Sequence, residues 1–165
     1  MRQYIDIFGK NWEMECMGCA ISNGEMDVPG GILYETELFQ LHQDPTNPIP
    51  GFLIISIKRH IGSFIEFTHN EKLEFIEILC KARNALEKIN GIKYCTIIQE
   101  ERAPHFHTWI LPYYEWMEEV KHGTIDTIIP LLQYSKQNWK TIEKINQVIN
   151  TADKIKKYFE NINCK

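Results

Sequence analysis

The chain has 165 residues, 44% hydrophobic and 24% charged, with a formal net charge of −4 and a pI near 5.9. That length suits one domain with a substantial core, and the composition excludes an intrinsically disordered chain. An acidic balance with no basic stripe argues against duplex nucleic acid as a partner, although a few backbone donors and one cation can hold a small anion locally.

The opening Met1-Arg2-Gln3-Tyr4-Ile5-Asp6 lacks the apolar region of a signal peptide, and no apolar run approaches the roughly 20 residues of a membrane span. The chain therefore reads as soluble and cytoplasmic, with no membrane partner. Five cysteines, at 16, 19, 80, 95 and 164, are an odd number and fit a reducing compartment better than a disulfide framework. Cys80 and Cys95 lie in apolar surroundings and are expected as buried fillers. Cys16 and Cys19 form Cys-x-x-Cys beside Gly18, the spacing of a metal clip or a redox pair.

In chain order, residues 1–15 are mixed in pattern, with Trp12 and Met14 offering partial cover to a core. Residues 16–31 are turn-rich, punctuated by Asn23-Gly24 and Pro29-Gly30-Gly31. Two short strands follow over 32–37 and 38–43, joined by a tight turn near Thr36-Glu37. Three prolines make 44–51 a rigid loop, because each removes a donor and fixes φ. The apolar run 52–57 predicts a strand buried on both faces, ended by Lys58-Arg59-His60. Thr68 and Glu71 have capping-box spacing and open a helix whose apolar stripe is Phe75, Leu79, Ala82, Leu86 and Ile89, with Gly91 as its stop. Strands are predicted over 92–99 and 105–111, paired as an antiparallel hairpin across the turn 100–104. Ile125, Ile128, Ile129, Leu131 and Leu132 suggest a short helix, with Pro130 either in its first turn or kinking it, and an amphipathic helix runs over 142–162. The order of strands, helix, strands and helices makes an α+β chain with an antiparallel sheet.

The chemistry concentrates in Ala103-Pro104-His105-Phe106-His107-Thr108-Trp109. Period-two alternation aims His105 and His107 at one face of a sheet, where imidazole serves as metal ligand, nucleophile or general base. His105, His60, Cys16 and Cys19 together offer two nitrogens and two sulfurs, enough for a closed tetrahedral zinc site with a structural role. The bland alternative is two buried thiols and two surface histidines. Asp44 before Pro45 is also a common turn-capping residue, and Phe39, Leu41 and Ile54 could form an apolar slot or simply fill the core.

From Cys16 to Pro112 the chain resembles the histidine-triad (HIT) superfamily of nucleotide hydrolases and transferases. The resemblance is carried by Cys-Met-Gly-Cys at 16–19, Tyr34-Glu35, Asp44 with its proline loop, Gly51, Lys58-Arg59-His60-Ile61, the helix opened by Thr68, and His105-Phe-His107-x-Trp109-Ile-Leu-Pro112. It implies a HIT-like fold over residues 1–112, an antiparallel sheet with a main helix packed on it, and makes residues 113–165 an added C-terminal helical extension on the same domain. That tail could cap the sheet, or build a subunit interface anchored by Tyr113, Tyr114, Trp116 and Met117. The resemblance implies structural zinc on Cys16, Cys19, His60 and His105, His107 as the nucleophile, and Asp44 and Gln99 facing the ribose and phosphate of a nucleotide. A homodimer is expected as well.

Two departures matter. Trp109 stands where the family has its third histidine, and an indole offers one N–H but no proton that titrates near neutrality. Residues 100–104 replace the family's Gly-Gln-Ser/Thr phosphate segment, leaving Arg102 and Trp109 as the donors expected at the phosphates. The implied function is a nucleotide hydrolase acting on the α-phosphate of dinucleoside polyphosphates or nucleoside phosphoramidates through a nucleotidyl-histidine. The alternatives are a nucleotidyltransferase of the same superfamily and a nucleotide-binding protein with little catalysis.

Overall fold

The computed structural model describes residues 1–120 and 127–163. Residues 1–15 form an antiparallel hairpin of β1 (Arg2–Ile5) and β2 (Asn11–Met14). Asp6 shapes its turn: one carboxylate oxygen accepts the N–H groups of Phe8 and Lys10, and the other accepts the indole N–H of Trp12 at 2.8 Å. The turn-rich segment then contains a helix that its glycines conceal, α1 (Met17–Ser22). Next come β3 (Ile32–Glu35), β4 (Phe39–Gln43), β5 (Leu53–Ile57), α2 (His69–Asn90), β6 (Cys95–Gln99) and β7 (His107–Pro112). The chain continues with α3 (Trp116–Val120), α4 (Ile128–Asn138) and α5 (Ile142–Asn163).

Strands β3 to β7 make one antiparallel sheet in the order β3-β4-β5-β7-β6. Its register sorts side chains onto two faces, because cross-strand partners point the same way. One face carries Phe39, Leu41, Leu53, Ile55, Ile57 and Ile110, all fully buried beneath α2 and α5. Each such side chain contributes about 1.5–3 kcal/mol by leaving water. The other face carries Gln40, His42, Ile54, Ser56, His107 and Trp109. A one-residue slip would exchange the two sets, so the core fixes the face on which His107 emerges.

Helix α2 begins and ends where the sequence predicts. Thr68 and Glu71 complete the capping box, and Gly91 adopts φ 64°, the left-handed conformation that ends a helix. Glu71 is buried and receives two bonds from the Arg59 guanidinium, at 2.6 and 2.9 Å, which together with Thr68 hold its carboxyl down at about 2. That value lies below the ordinary 4.5, so the stabilisation is complete above pH 4.5 and disappears as pH falls toward 2. Melting temperature followed from pH 6 to pH 2 should therefore fall less steeply in Glu71→Gln than in the parent. Equal slopes would remove Glu71 as a source of acid lability.

The last third departs most from the sequence pattern. α4 is longer than expected and runs to Asn138; Pro130 sits in its first turn, where a missing N–H costs nothing, while Ile125 lies outside the described residues. α3, which the pattern did not suggest, packs Met117 into a second apolar cluster with Phe52, Leu111, Leu131 and Leu132. Tyr114 donates to the Pro50 carbonyl at 2.7 Å and Trp116 packs on Trp139, so both side chains help to anchor this segment to the rest of the chain. α5 buries Val148, Ala152, Ile155 and Phe159, with Phe159 stacked on Tyr34 at 4.7 Å. Cys80 is exposed and Cys95 half-buried, which corrects their expected role as buried fillers, and Cys164 lies outside the described residues. The apolar residues around Cys80 lie on both sides of its helix, and Leu73 and Ile76 nearby are exposed with it. No described helix is long and apolar enough to cross a membrane.

Candidate active site and metal cluster

Three segments converge at one end of the sheet. Cys16 caps α1, its sulfur accepting the Cys19 N–H at 3.5 Å; His60 follows β5; and His105 precedes β7, which starts at His107 rather than at His105. The four ligand atoms, Cys16 Sγ, Cys19 Sγ, His60 Nδ1 and His105 Nδ1, all lie within 4.8 Å of one another. Sulfur–nitrogen separations are 3.1–3.6 Å. Tetrahedral Zn–S and Zn–N bonds of about 2.3 and 2.05 Å place sulfur and nitrogen about 3.5 Å apart. The cluster is thus sized for a tetrahedral ion of zinc's class, and its S₂N₂ donors suit that chemistry.

Protonation fits the same reading. His105 Nε2 lies 2.6 Å from the Ile57 carbonyl, which can only accept, so Nε2 carries the proton and Nδ1 presents its lone pair to the cluster. Burial lowers the His105 pKa and keeps the imidazole neutral, as a ligand must be. Burial also pushes the Cys19 thiol up to about 11, with Cys16 beside it adding to the effect. Two adjacent thiols resist ionising together unless a cation joins them.

Gly18 explains the third position of Cys-Met-Gly-Cys. A Cβ there would stand 2.5 Å from the His105 ring, which the Ile57 carbonyl holds from the other side. Gly18→Ala is expected to force α1 and His105 apart, costing about 1–3 kcal/mol and weakening metal retention. Thermal melting with elemental analysis checks this, and unchanged values in both would refute the close-approach argument.

Beside the cluster lies a cavity of about 720 Å³, within the range of small-molecule sites. Its floor is the polar face of the sheet, including His42, Ile54, Ser56, His107 and Trp109. His107 is half-buried, and its Nδ1–H donates to the His105 carbonyl at 2.9 Å, which leaves Nε2 with the lone pair. Trp109 packs edge-on against Phe52 and lies 6.0 Å from the His107 ring, and no described residue accepts a bond from its indole N–H. Asp44 lines the cavity and also acts as the loop cap: its Oδ1 accepts from Thr46 N, Thr46 Oγ1, Asn47 N and Asn47 Nδ2 at 2.7–3.0 Å.

Two expected contacts are not formed. Gln99 pairs with Thr108 across the β6–β7 ladder, which puts it on the helix-covered face, opposite His107. Arg102 is exposed and doubly bonded to Glu100, two residues away, instead of turning into the cavity. Phe39 and Leu41 are core residues of that opposite face, so only Ile54 of the expected apolar slot lines the cavity. In their place the structure brings in three residues that the sequence reading passed over. His42 is buried, its Nδ1–H donates to the Gln43 carbonyl at 2.9 Å, and burial lowers its pKa. Ser56 Oγ and Asn47 Oδ1 are buried without partners among the described residues, a costly condition that a polar ligand would relieve. Alternation in Phe39-Gln40-Leu41-His42 and the lone serine of an apolar strand were the available signals.

No family model matches the sequence. Over 121 residues the chain is 30% identical to an uncharacterized HIT-like protein of Methanocaldococcus jannaschii, an alignment spanning 68% of this chain and 91% of that protein. A Zn-bound histidine triad family protein from Mycobacterium smegmatis superposes with a TM-score of 0.63 at 13% identity, over 92% of this chain and 97% of that one. A hypothetical histidine triad nucleotide-binding protein from Sulfolobus tokodaii gives 0.63 at 17% identity, over 89% and 93% respectively. At these identities the solved structures establish the shared α+β fold.

Proposed function

The chain belongs to the HIT-like family, and on that premise we propose that it is a nucleotide hydrolase whose nucleophile is His107. One observation carries the reading: Nδ1 of His107 is committed to the His105 carbonyl, so the lone pair on Nε2 belongs to a residue that lines a nucleotide-sized cavity. In the reaction, Nε2 attacks the α-phosphorus and the bond from phosphorus to the leaving group breaks, its electron pair departing with that group. Water then attacks the nucleotidyl-histidine. The P–N bond breaks, its electrons return to Nε2, and the water proton passes to solvent.

The other residues position the substrate. Asp44 Oδ2, which takes no donor among the described residues, and Asn47 Oδ1 are acceptors for ribose hydroxyls. Ser56 Oγ, opposite His107 in the ladder, and the indole N–H of Trp109 are donors for phosphoryl oxygens. Zinc on Cys16, Cys19, His60 and His105 would be structural, fastening α1 to the sheet beside the site.

The test is turnover of diadenosine tetraphosphate and adenosine phosphoramidate by the zinc-loaded protein, with AMP as the expected product. Trp109 in the third triad position favours a second reading, a nucleotide-binding protein with little turnover. Tight AMP binding with no His107-dependent product would establish that reading and overturn the hydrolase.

A further inference from the structure

The cavity over His107 is walled, away from the sheet, by β1 and α4, neither of which lies within the Cys16–Pro112 stretch that carries the family pattern. β1 brings Arg2, α4 brings Lys136, and the segment that follows α4 brings Lys140 to its lining. Among the described residues, none of the three cations has a carboxylate within ion-pair distance. Lys140 Nζ donates only to the main-chain carbonyl of Asp6, at 2.8 Å, while the Asp6 carboxylate is taken by Phe8, Lys10 and Trp12. Burial and the nearby Lys136 charge hold the Lys140 pKa below its ordinary value. Among the described residues, Asp44 is the one carboxylate that lines the cavity, and it already receives four donors on one oxygen. In a chain of net charge −4, three cations with no carboxylate partner among the described residues therefore line one cavity. That arrangement costs stability when the cavity is empty and favours a multiply charged anion.

The chemistry of the leaving group points the same way. Trp109 has no proton to give, so a leaving group that must be protonated as it departs, such as an amine, is poorly served. A polyphosphate departs as a stable anion, its electron pair staying on the bridging oxygen, and needs charge stabilisation instead of a proton. We propose that Lys136 and Lys140, with Arg2, hold the phosphates beyond the α-phosphate, and that this cavity selects a nucleotide with a polyphosphate leaving group over a phosphoramidate. This deepens the hydrolase reading and rests on it.

The experiment is calorimetric titration of zinc-loaded protein carrying His107→Ala, so that nothing is consumed, with AMP and with adenosine 5′-tetraphosphate. The parent should bind the tetraphosphate at least about tenfold more tightly than AMP, the scale of two cations acting near a protein surface. In Lys136→Gln/Lys140→Gln that preference should vanish with AMP affinity unchanged, and Lys136→Arg/Lys140→Arg should restore it. A parent without the preference, or a preference that survives in the glutamine pair, overturns the proposal while leaving His107-dependent turnover to be judged by its own assay. No binding of either nucleotide overturns both.

Discussion

Chelation of the purified protein, or the paired change Cys16→Ser/Cys19→Ser, is expected to lower the melting temperature by about 10 °C and to eliminate about one equivalent of bound zinc per chain. The size follows from what the cluster joins. The main core beneath α2 and α5 does not involve the four ligands, so the sheet should remain folded without metal. α1 differs: it has six residues, too few to be stable alone, and its own apolar cluster is the small group of Ala20, Ile21, Met26 and Val28. The cluster ties this weak element to β5 and β7 through His60 and His105. Loss of the tie should cost about 3–5 kcal/mol, at 2–4 °C per kcal/mol for a chain of this size. The effect should also reach the neighbouring site, because the His105 carbonyl accepts from His107 and the His105 ring belongs to the proposed ligand set. Elemental analysis decides the matter: no zinc in the parent, or full zinc in the double serine variant, refutes the ligand set.

The cluster was legible in the sequence because metal ligands are constrained by residue type, and two cysteines and two histidines placed at strand and helix ends leave few ways to meet. The sheet was legible because strand-forming residues joined by a tight turn over 32–43, and a continuous apolar run over 52–57, leave little but strands, and Leu53 to Ile57 are indeed buried throughout. Gln99 and Arg102 were placed wrongly because each depended on something local propensity does not contain. Gln99 depended on the register of the β6–β7 hairpin, where one residue decides the face. Arg102 depended on competition with Glu100, a partner already two residues away. The cavity wall was the least legible part. Arg2 and Lys140 are 138 positions apart and meet at the cavity only through the packing of β1 and the segment that follows α4, for which no short-range pattern exists.

His107→Ala is expected to reduce nucleotide turnover by at least about 10³-fold while changing AMP affinity little, since it removes the proposed nucleophile. The described residues give the His107 side chain one bond, to the His105 carbonyl, and a tilted ring contact with Trp109 at 6.0 Å, so its truncation should leave the fold intact. His107→Asn is the informative companion. Its amide N–H₂ can still donate to the His105 carbonyl, but no nitrogen lone pair remains to attack phosphorus. If both variants lose turnover and retain AMP binding, the nucleophilic role stands apart from the structural one. If His107→Asn keeps parental turnover, attack must come from elsewhere, and His42 is the alternative on the same face, with Nδ1 likewise committed to a carbonyl. His42 is buried at 2% exposure, whereas His107 is half-buried at the cavity floor, and an incoming α-phosphate has to be reached. Accessibility therefore separates two imidazoles with equivalent hydrogen bonding, and it favours the proposed attack by His107.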